Sequence, residues 1–105
     1  MKVEKSFINE YGLNLETLKV ELKGTTLLLI EGYDAFFLCC ALDVDIYNSI
    51  KMIDRKVICG KAIGVKTIEE LLNAPIHSIC DYGKSLGLYE GMKVYEGFKK
   101  LSEEK

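Results

Sequence analysis

The sequence predicts an α+β domain, a two-layer α/β sandwich in which helices cover a mostly antiparallel sheet. Three observations predict it. Short apolar runs separated by glycine turns fill the chain up to Cys40, as is typical of strands. Helical periodicity replaces them after Cys40. A strand, a glycine turn and a helix start then follow one another between Val57 and Pro75.

The N-terminal part predicts two strands joined by a turn. Charged and apolar residues alternate over Lys2–Ile8, and Asn9–Gly12 has the composition of a turn. The apolar positions of the next strand change parity between Leu15 and Leu18. Because a shift of one residue moves side chains to the other face of a sheet, we predict a β-bulge near Glu16-Thr17.

Two further runs, Thr25–Ile30 and Ala35–Cys40, are apolar without alternation, and Glu31–Asp34 between them is a hairpin turn signal. A pair of strands that is apolar on both faces is expected at the centre of a sheet. It needs cover on each side, which either helices on both faces or a second subunit can provide.

Helical periodicity begins after these strands. Asp43 fits the N-cap of a helix. The apolar residues that form its stripe are Leu42, Ile46, Tyr47, Ile50 and Ile53. The run Lys56–Cys59 predicts the next strand.

The clearest helix start is at Thr67. Thr67 and Glu70 have the spacing of a capping box, in which the hydroxyl accepts a backbone amide and the carboxylate reaches back to the threonine amide. Pro75 cannot continue this helix, so we predict Thr67–Asn73.

Two more helices are expected after Pro75. The first runs to Leu86, with Gly87 as its left-handed C-terminal cap. The last begins at Gly91 and presents one apolar side, formed by Tyr95, Phe98 and Leu101.

Composition limits the function classes. The 105 residues suit one domain spanning the whole chain, 1–105. Lysines and arginines number 14 against 16 acidic residues, so the chain has no cationic excess for nucleic acid. No apolar run approaches the roughly 20 residues of a membrane span, and no secretion signal is visible. We therefore expect a cytoplasmic protein with reduced cysteines, without nucleic-acid or membrane partners.

The segment Gly60–Thr67 resembles a phosphate loop in its length and its closing Lys-Thr. Val65 stands where such a loop needs glycine, which argues against a nucleotide hydrolase. Amides at the helix start and two lysines can still hold a small anion. The predicted anion-binding residues are Gly60, Lys61, Gly64, Lys66 and Thr67. The alternative is a structural turn with solvated lysines.

The cysteines do not predict a metal site. Cys39, Cys40, Cys59 and Cys80 contain no C-x-x-C pair, and His77 is the only histidine. We expect neither metal nor cofactor and treat the thiols as core residues, with Cys39 or Cys40 as the alternative of a reactive thiol near a helix start.

Three segments resemble the YunC family of small uncharacterised bacterial and archaeal proteins: Cys39–Val44, Gly60–Thr67 and Leu71–Pro75. The similarity extends over about Phe7–Leu101 and implies a two-layer α/β sandwich without implying an activity. Residues 41–43 match the family's Ala-Leu-Asp run. The chain departs from the family pattern at Cys40, where glycine is expected, at Lys61 and Lys66, where arginine is common, and at Gly97, where alanine is expected.

The sequence thus predicts a cytoplasmic binding or regulatory module with a small-molecule or anion site near Gly60–Thr67, which self-associates as a dimer. The alternative is a small enzyme. It would use Cys39 or Asp43 as the catalytic group, with Lys61 and Lys66 as electrostatic stabilisers.

Overall fold

The computed structural model describes residues 1–39 and 57–103. Within them it has six strands and three helices. In chain order these are β1 Lys2–Ile8, β2 Leu15–Leu22, β3 Thr25–Gly32, β4 Ala35–Leu38, β5 Ile58–Lys61, α1 Ile68–Asn73, β6 Ser78–Ile79, α2 Asp81–Ser85 and α3 Val94–Glu103. The predicted helix with its N-cap at Asp43 lies outside the described residues.

The strands form one sheet in the order in which they occur along the chain. Every neighbouring pair is antiparallel except β4 and β5, which are parallel. The predicted α+β fold with a mostly antiparallel sheet is therefore confirmed. The two runs without alternation are β3 and β4, and both are interior strands as expected.

The core lies on one face of the sheet, which we call the inner face. Phe37 of β4 and Phe98 of α3 meet there edge to face, with ring centroids 5.0 Å apart. Helices α1 and α3 pack on this face, against the buried residues of the strands. The largest fully buried side chains, besides these two rings, are Leu13, Leu15, Leu28, Ile30, Leu71, Leu72, Ile76, Leu88 and Val94.

Alternate residues of the strands point to the opposite side, the outer face. The register places Val3 opposite Val20 and Val20 opposite Leu27, so these three share the outer face. Over β1 to β3 the outer face consists of Val3, Lys5, Phe7, Glu16, Leu18, Val20, Leu22, Thr25, Leu27, Leu29 and Glu31.

The predicted bulge near Glu16-Thr17 is wrong. Strand β2 pairs without interruption from Leu15 to Leu22 with both of its neighbours. Thr17 takes the inner position that follows Leu15 and is 5% exposed. The parity change therefore records a polar residue on the inner face and apolar residues on the outer face, with no change in backbone pairing.

Strand β5 begins two residues later than predicted and includes Gly60 and Lys61. It pairs with β4 on one side and with β6 on the other. The glycine turn therefore starts after Lys61, and Gly60 belongs to the sheet.

The helix predicted from Pro75 is wrong over its first half. Pro75 forms a bridge to Lys93, and the Ile76 amide donates to the Met92 carbonyl at 2.7 Å. The His77 amide donates to Lys61 at 2.8 Å. These partners keep the segment extended, and the helix is reduced to α2. Gly87 follows it with φ of +97°, as the predicted cap requires.

Candidate functional site

The predicted anion-binding residues are divided between strand β5 and the turn that follows it. Gly60 lies inside the sheet, where a β-carbon would sit 2.6 Å from the Phe37 ring. Lys61 is on the outer face, at the end of β5. Gly64 adopts φ of +74° with open space around it, next to Lys66 and Thr67. The structure brings Gly64, Lys66 and Thr67 together on the surface and leaves Gly60 buried as a packing residue.

The start of α1 is closed by a capping box. The Glu70 amide donates to the Thr67 hydroxyl oxygen at 3.0 Å, as predicted. The Glu70 carboxylate accepts the amide of Lys66 at 2.8 Å, one residue earlier than expected. Glu69 adds a second acid in the first turn. The Glu70 carboxylate therefore occupies an amide that an anion would bind, and the charge of both acids opposes anion binding.

Cys39 follows β4 on the inner face and is 4% exposed. Its sulfur accepts the Leu28 amide at 3.4 Å and donates to the Thr26 carbonyl at 3.7 Å. Lys61 lies on the opposite face, and Asp43 and Cys40 lie outside the described residues. Among the described residues, Cys39 therefore shares no cleft with Lys61.

A pair of thiols lies beside the pairing of β5 and β6, at the end of the sheet opposite β1. The sequence did not point to this pair. Ile79 pairs with Gly60, so Cys80 and Cys59 are the next opposed residues, and the Cys80 amide donates to the Cys59 carbonyl at 3.0 Å. The Cys59 amide donates to the Cys80 sulfur at 3.3 Å. Both side chains are 0% exposed.

Each thiol changes the proton affinity of the other. The Cys59 thiol donates a hydrogen bond to the Cys80 sulfur, which lowers the pKa of Cys80 against the opposing effect of burial. The same hydrogen bond raises the pKa of Cys59, and burial raises it further. The pair therefore releases a first proton readily and holds a second one firmly. Cys39 has no such thiol neighbour among the residues described.

The histidine does not join the thiols. His77 is exposed, and its Nδ1 lies 3.0 Å from the Ser78 hydroxyl. Within residues 1–39 and 57–103, no three histidine, cysteine or acidic side chains are grouped as a metal site requires. Cys59 and Cys80 alone offer two soft ligands.

A shallow groove of about 410 Å³ runs along the exposed side of α3. Tyr95, one of its lining residues, stacks on Tyr11 with centroids 4.2 Å apart, and Lys93 lies 5.8 Å from the Tyr95 ring. Tyr11 also donates to Asn73 at the end of α1. These contacts tie the β1–β2 turn to the helices, which is a structural role.

The most exposed apolar surface is the outer face of β1 and β2. Phe7 is 72% exposed, Val3 52% and Leu22 39%. The inner side of the same strands is charged, with ion pairs Lys2–Glu4 at 3.0 Å and Lys19–Glu21 at 3.5 Å. One hairpin thus presents a charged side and an apolar side.

No helix in the described part of the chain is long and apolar enough to cross a membrane.

Comparisons with known proteins agree with this structure. Residues 38–101 match a family described as a domain of unknown function, DUF1805. The uncharacterised protein YunC of Bacillus subtilis is 32% identical over 90 residues, which cover 86% of this chain and 88% of the relative. A crystal structure of a protein of unknown function from Thermoplasma acidophilum has the same fold, with a TM-score of 0.81 over 95% of this chain and 93% of the other, at 22% identity. The chain therefore belongs to the DUF1805 family, in agreement with the resemblance to the YunC family that its sequence indicates.

Proposed function

We propose that this protein is a binding and regulatory module that works as a two-fold dimer, joined through the outer face of β1 to β3. The observation that carries the proposal is the exposure of Phe7 and Val3 on one face of the sheet. Large apolar side chains that stand together on a surface mark a protein interaction site. The inner side of the same hairpin carries the ion pairs Lys2–Glu4 and Lys19–Glu21, so its exposed large apolar side chains lie on the outer side.

Lys5 and Glu31 can pair between two copies of the chain on this face, while Glu16 of β2 would face Glu16 of the partner subunit. Lys5 lies on the outer face of β1, and Glu31 lies on the outer face of β3, two strands away. Two sheets pack face to face about 10 Å apart. A two-fold axis along β2 would lay β1 of one copy over β3 of the other. Lys5 would then lie over Leu29 of the partner subunit, two residues along β3 from Glu31, which the lysine side chain can reach, and the reverse contact would form by symmetry.

The experiment is sedimentation velocity at micromolar concentration with two matched variants. Phe7→Ser removes the most exposed ring of the outer face. Tyr89→Ser removes an aromatic residue that is 58% exposed in the segment before α3, outside the strands of the sheet. The wild type and Tyr89→Ser should sediment as dimers, whereas Phe7→Ser should weaken association by about tenfold or more, which corresponds to about 1.4 kcal/mol.

A wild type that sediments only as the 11.8 kDa species would overturn the proposal. Equal dissociation constants for the two serine variants would also overturn it, because the outer face would then not be the interface.

A second proposal concerns the ligand of this module, a small anion at the turn that ends in Thr67. Lys66 is exposed there, and open space surrounds Gly64. Because Glu70 accepts the Lys66 amide, any anion must compete with a carboxylate, so affinity should be weak. Titration with inorganic phosphate, followed by the amide signals of residues 65–68, tests this site.

The enzyme alternative receives less support. It requires Cys39 or Asp43 around one cleft with Lys61 and Lys66, and Asp43 lies outside the described residues. Cys39 is buried against the core, while Lys61 is on the other face of the sheet.

A further inference from the structure

The Cys59 and Cys80 thiols form a polar contact inside an otherwise apolar cluster. Phe36, Val57 and Tyr82 pack against them. The Cys80 sulfur accepts the Cys59 amide at 3.3 Å and lies 3.4 Å from the Val57 carbonyl, to which its thiol donates. Two cysteines held in this way are a defined pair, because backbone groups fix the position of the Cys80 sulfur and one of those groups belongs to Cys59.

The backbone geometry permits a bond between the two sulfurs. Residues directly opposed across antiparallel strands have Cα atoms about 4.5 to 5.5 Å apart. Disulfides form at Cα separations of about 4.4 to 6.8 Å. Cys59 and Cys80 are opposed at the end of the β5–β6 pairing, with their side chains on the same face. Closing the bond therefore requires rotation of side chains and no large change in the strands.

We propose that Cys59 and Cys80 form a redox site, which a low-molecular-weight disulfide converts reversibly into an intramolecular disulfide between β5 and the start of α2. This inference does not depend on the proposed dimer, since the thiols lie at the opposite end of the sheet order from β1.

The reaction proceeds in two exchanges. The Cys80 thiolate attacks one sulfur of the small disulfide, which breaks its S–S bond and releases one thiolate. Cys59 then loses its proton and attacks the Cys80 sulfur, which breaks the mixed disulfide and releases the second small thiol. Two protein thiols are oxidised, and one small disulfide is reduced to two thiols.

Access to the buried sulfurs is provided by the edge of the sheet. Strand β6 has two residues and is the last strand of the sheet, and α2 has five residues. Short elements at a sheet edge open at a lower free energy than the core does. Cys39 is a natural comparison, because it is also buried but packs within the main core.

The test uses the full chain with the substitutions Cys39→Ala and Cys40→Ser, so that only the pair remains. The folded, reduced protein is exposed to glutathione disulfide, free thiols are blocked, and peptides are mapped by mass spectrometry. We expect a peptide pair linked through Cys59 and Cys80, which dithiothreitol separates again. In the same background, Cys59→Ser should accumulate a glutathione adduct on Cys80, and Cys80→Ser should leave Cys59 unmodified.

The wild-type chain serves as the second measurement if a serine variant fails to fold. There the linked pair should again be Cys59 and Cys80. Absence of this linkage in the folded wild type, a linkage that forms only in denaturant, or a link between other cysteines of the wild type would overturn the proposal. A glutathione adduct that appears first on Cys59 would overturn the assigned order of attack.

Discussion

Gly60 lies against the Phe37 ring, where only a hydrogen atom fits. A β-carbon at this position would be 2.6 Å from Cε1 and 2.9 Å from Cδ1 of the ring, and 3.0 Å from the Ser78 carbonyl oxygen. The ring is itself fixed by Phe98 in the core. Neither the ring nor the backbone of β6 can move away without disturbing its own packing.

We therefore expect Gly60→Ala to lower the free energy of unfolding by about 1 to 3 kcal/mol through overpacking. Gly64→Ala is the matched control, because it has open space but φ of +74°. It should cost about 1 to 2 kcal/mol through backbone strain alone. Both are measured by urea denaturation. Since the two ranges overlap, the deciding result is Phe37→Leu in each background. It should cost less stability in the Gly60→Ala background, where it relieves the contact, than in the Gly64→Ala background, and equal costs in both would contradict the contact.

The thiol pair predicts an unusual pH dependence for alkylation. Folding lowers the pKa of Cys80 because the Cys59 thiol donates to its sulfur, so the ionised form is favoured and reaction should persist below the ordinary range of a thiol. The associated stabilisation is present above the ordinary pKa of Cys80 and is lost as the pH falls through its lowered value. Cys59 behaves in the opposite sense. Its raised pKa favours the thiol, and that stabilisation is lost as the pH rises.

Removing the Cys59 thiol, which donates to the Cys80 sulfur, should reverse the shift in the pKa of Cys80. In the background without Cys39 and Cys40, we expect Cys59→Ala to move the midpoint of the rate of iodoacetamide reaction at Cys80 to higher pH. The midpoint, rather than the absolute rate, is the readout, because local opening scales all rates together. An unchanged midpoint would mean that the Cys59 thiol does not stabilise the Cys80 thiolate.

At the scale of elements, α1 depends on its capping box. The helix has six residues, too few to be stable by itself. Thr67 accepts the Glu70 amide, and Leu71 and Leu72 are buried in the core. Thr67→Ala should therefore lower the free energy of unfolding by about 1 kcal/mol. Lys66→Ala is the control, since it keeps the amide that bonds to Glu70 and should change stability by less than about 0.5 kcal/mol. Equal losses would argue against the cap as the source.

Two substitutions test the anion site predicted at the same turn, and they should change phosphate binding in opposite directions. Lys66→Ala should weaken phosphate binding by removing a cation. Glu70→Gln should strengthen it by removing the carboxylate that competes at the Lys66 amide. Added salt should weaken binding in each protein. Amide signals of residues 65–68 under phosphate titration provide the measurement. If those signals do not move, or if both variants bind as the wild type does, the turn has only a structural role.

Local chemistry made most elements predictable. The hairpin turn at Tyr33 and Asp34, both with positive φ, and the cap at Thr67 are fixed by residues close in sequence. Ile76 and Ile79 have helical spacing, yet hydrogen bonds to Lys61 and Met92 hold their segment extended. Those partners are distant in sequence, so no local pattern reveals them. The Cys59–Cys80 pair cannot be predicted for the same reason. Helical spacing places Cys80 in a helix, whereas in the structure it precedes α2 and bonds to Cys59 of β5.

At the scale of the molecule, the two faces of the sheet differ in a way that the sequence pattern partly showed. Apolar runs without alternation in β3 and β4 predicted that both faces need cover, and α1 and α3 cover the inner one. The parity change in β2 carries the same information, although the sequence alone predicts a bulge from it. Thr17 explains the difference, because a buried polar residue broke the inner pattern while Leu18 and Val20 continued the outer one.

The proposed dimer makes a final prediction that depends on charge rather than on apolar area. Lys5 and Glu31 lie two strands apart on the outer face, and neither has a salt bridge within the described part of the chain. Lys5→Glu should weaken the dimer, because a two-fold arrangement would bring this glutamate towards Glu31 of the partner subunit. Adding Glu31→Lys should restore association by exchanging the two signs. Lys23→Glu, in the turn after β2, is the control for net charge.

Sedimentation of these variants at low salt separates the explanations. If pairing between copies operates, the double variant should associate more tightly than Lys5→Glu alone, and the difference should shrink as salt is added. A double variant no tighter than the single one would exclude this two-fold arrangement, even if Phe7→Ser still dissociates the dimer, because contact through the apolar residues would then occur in another orientation.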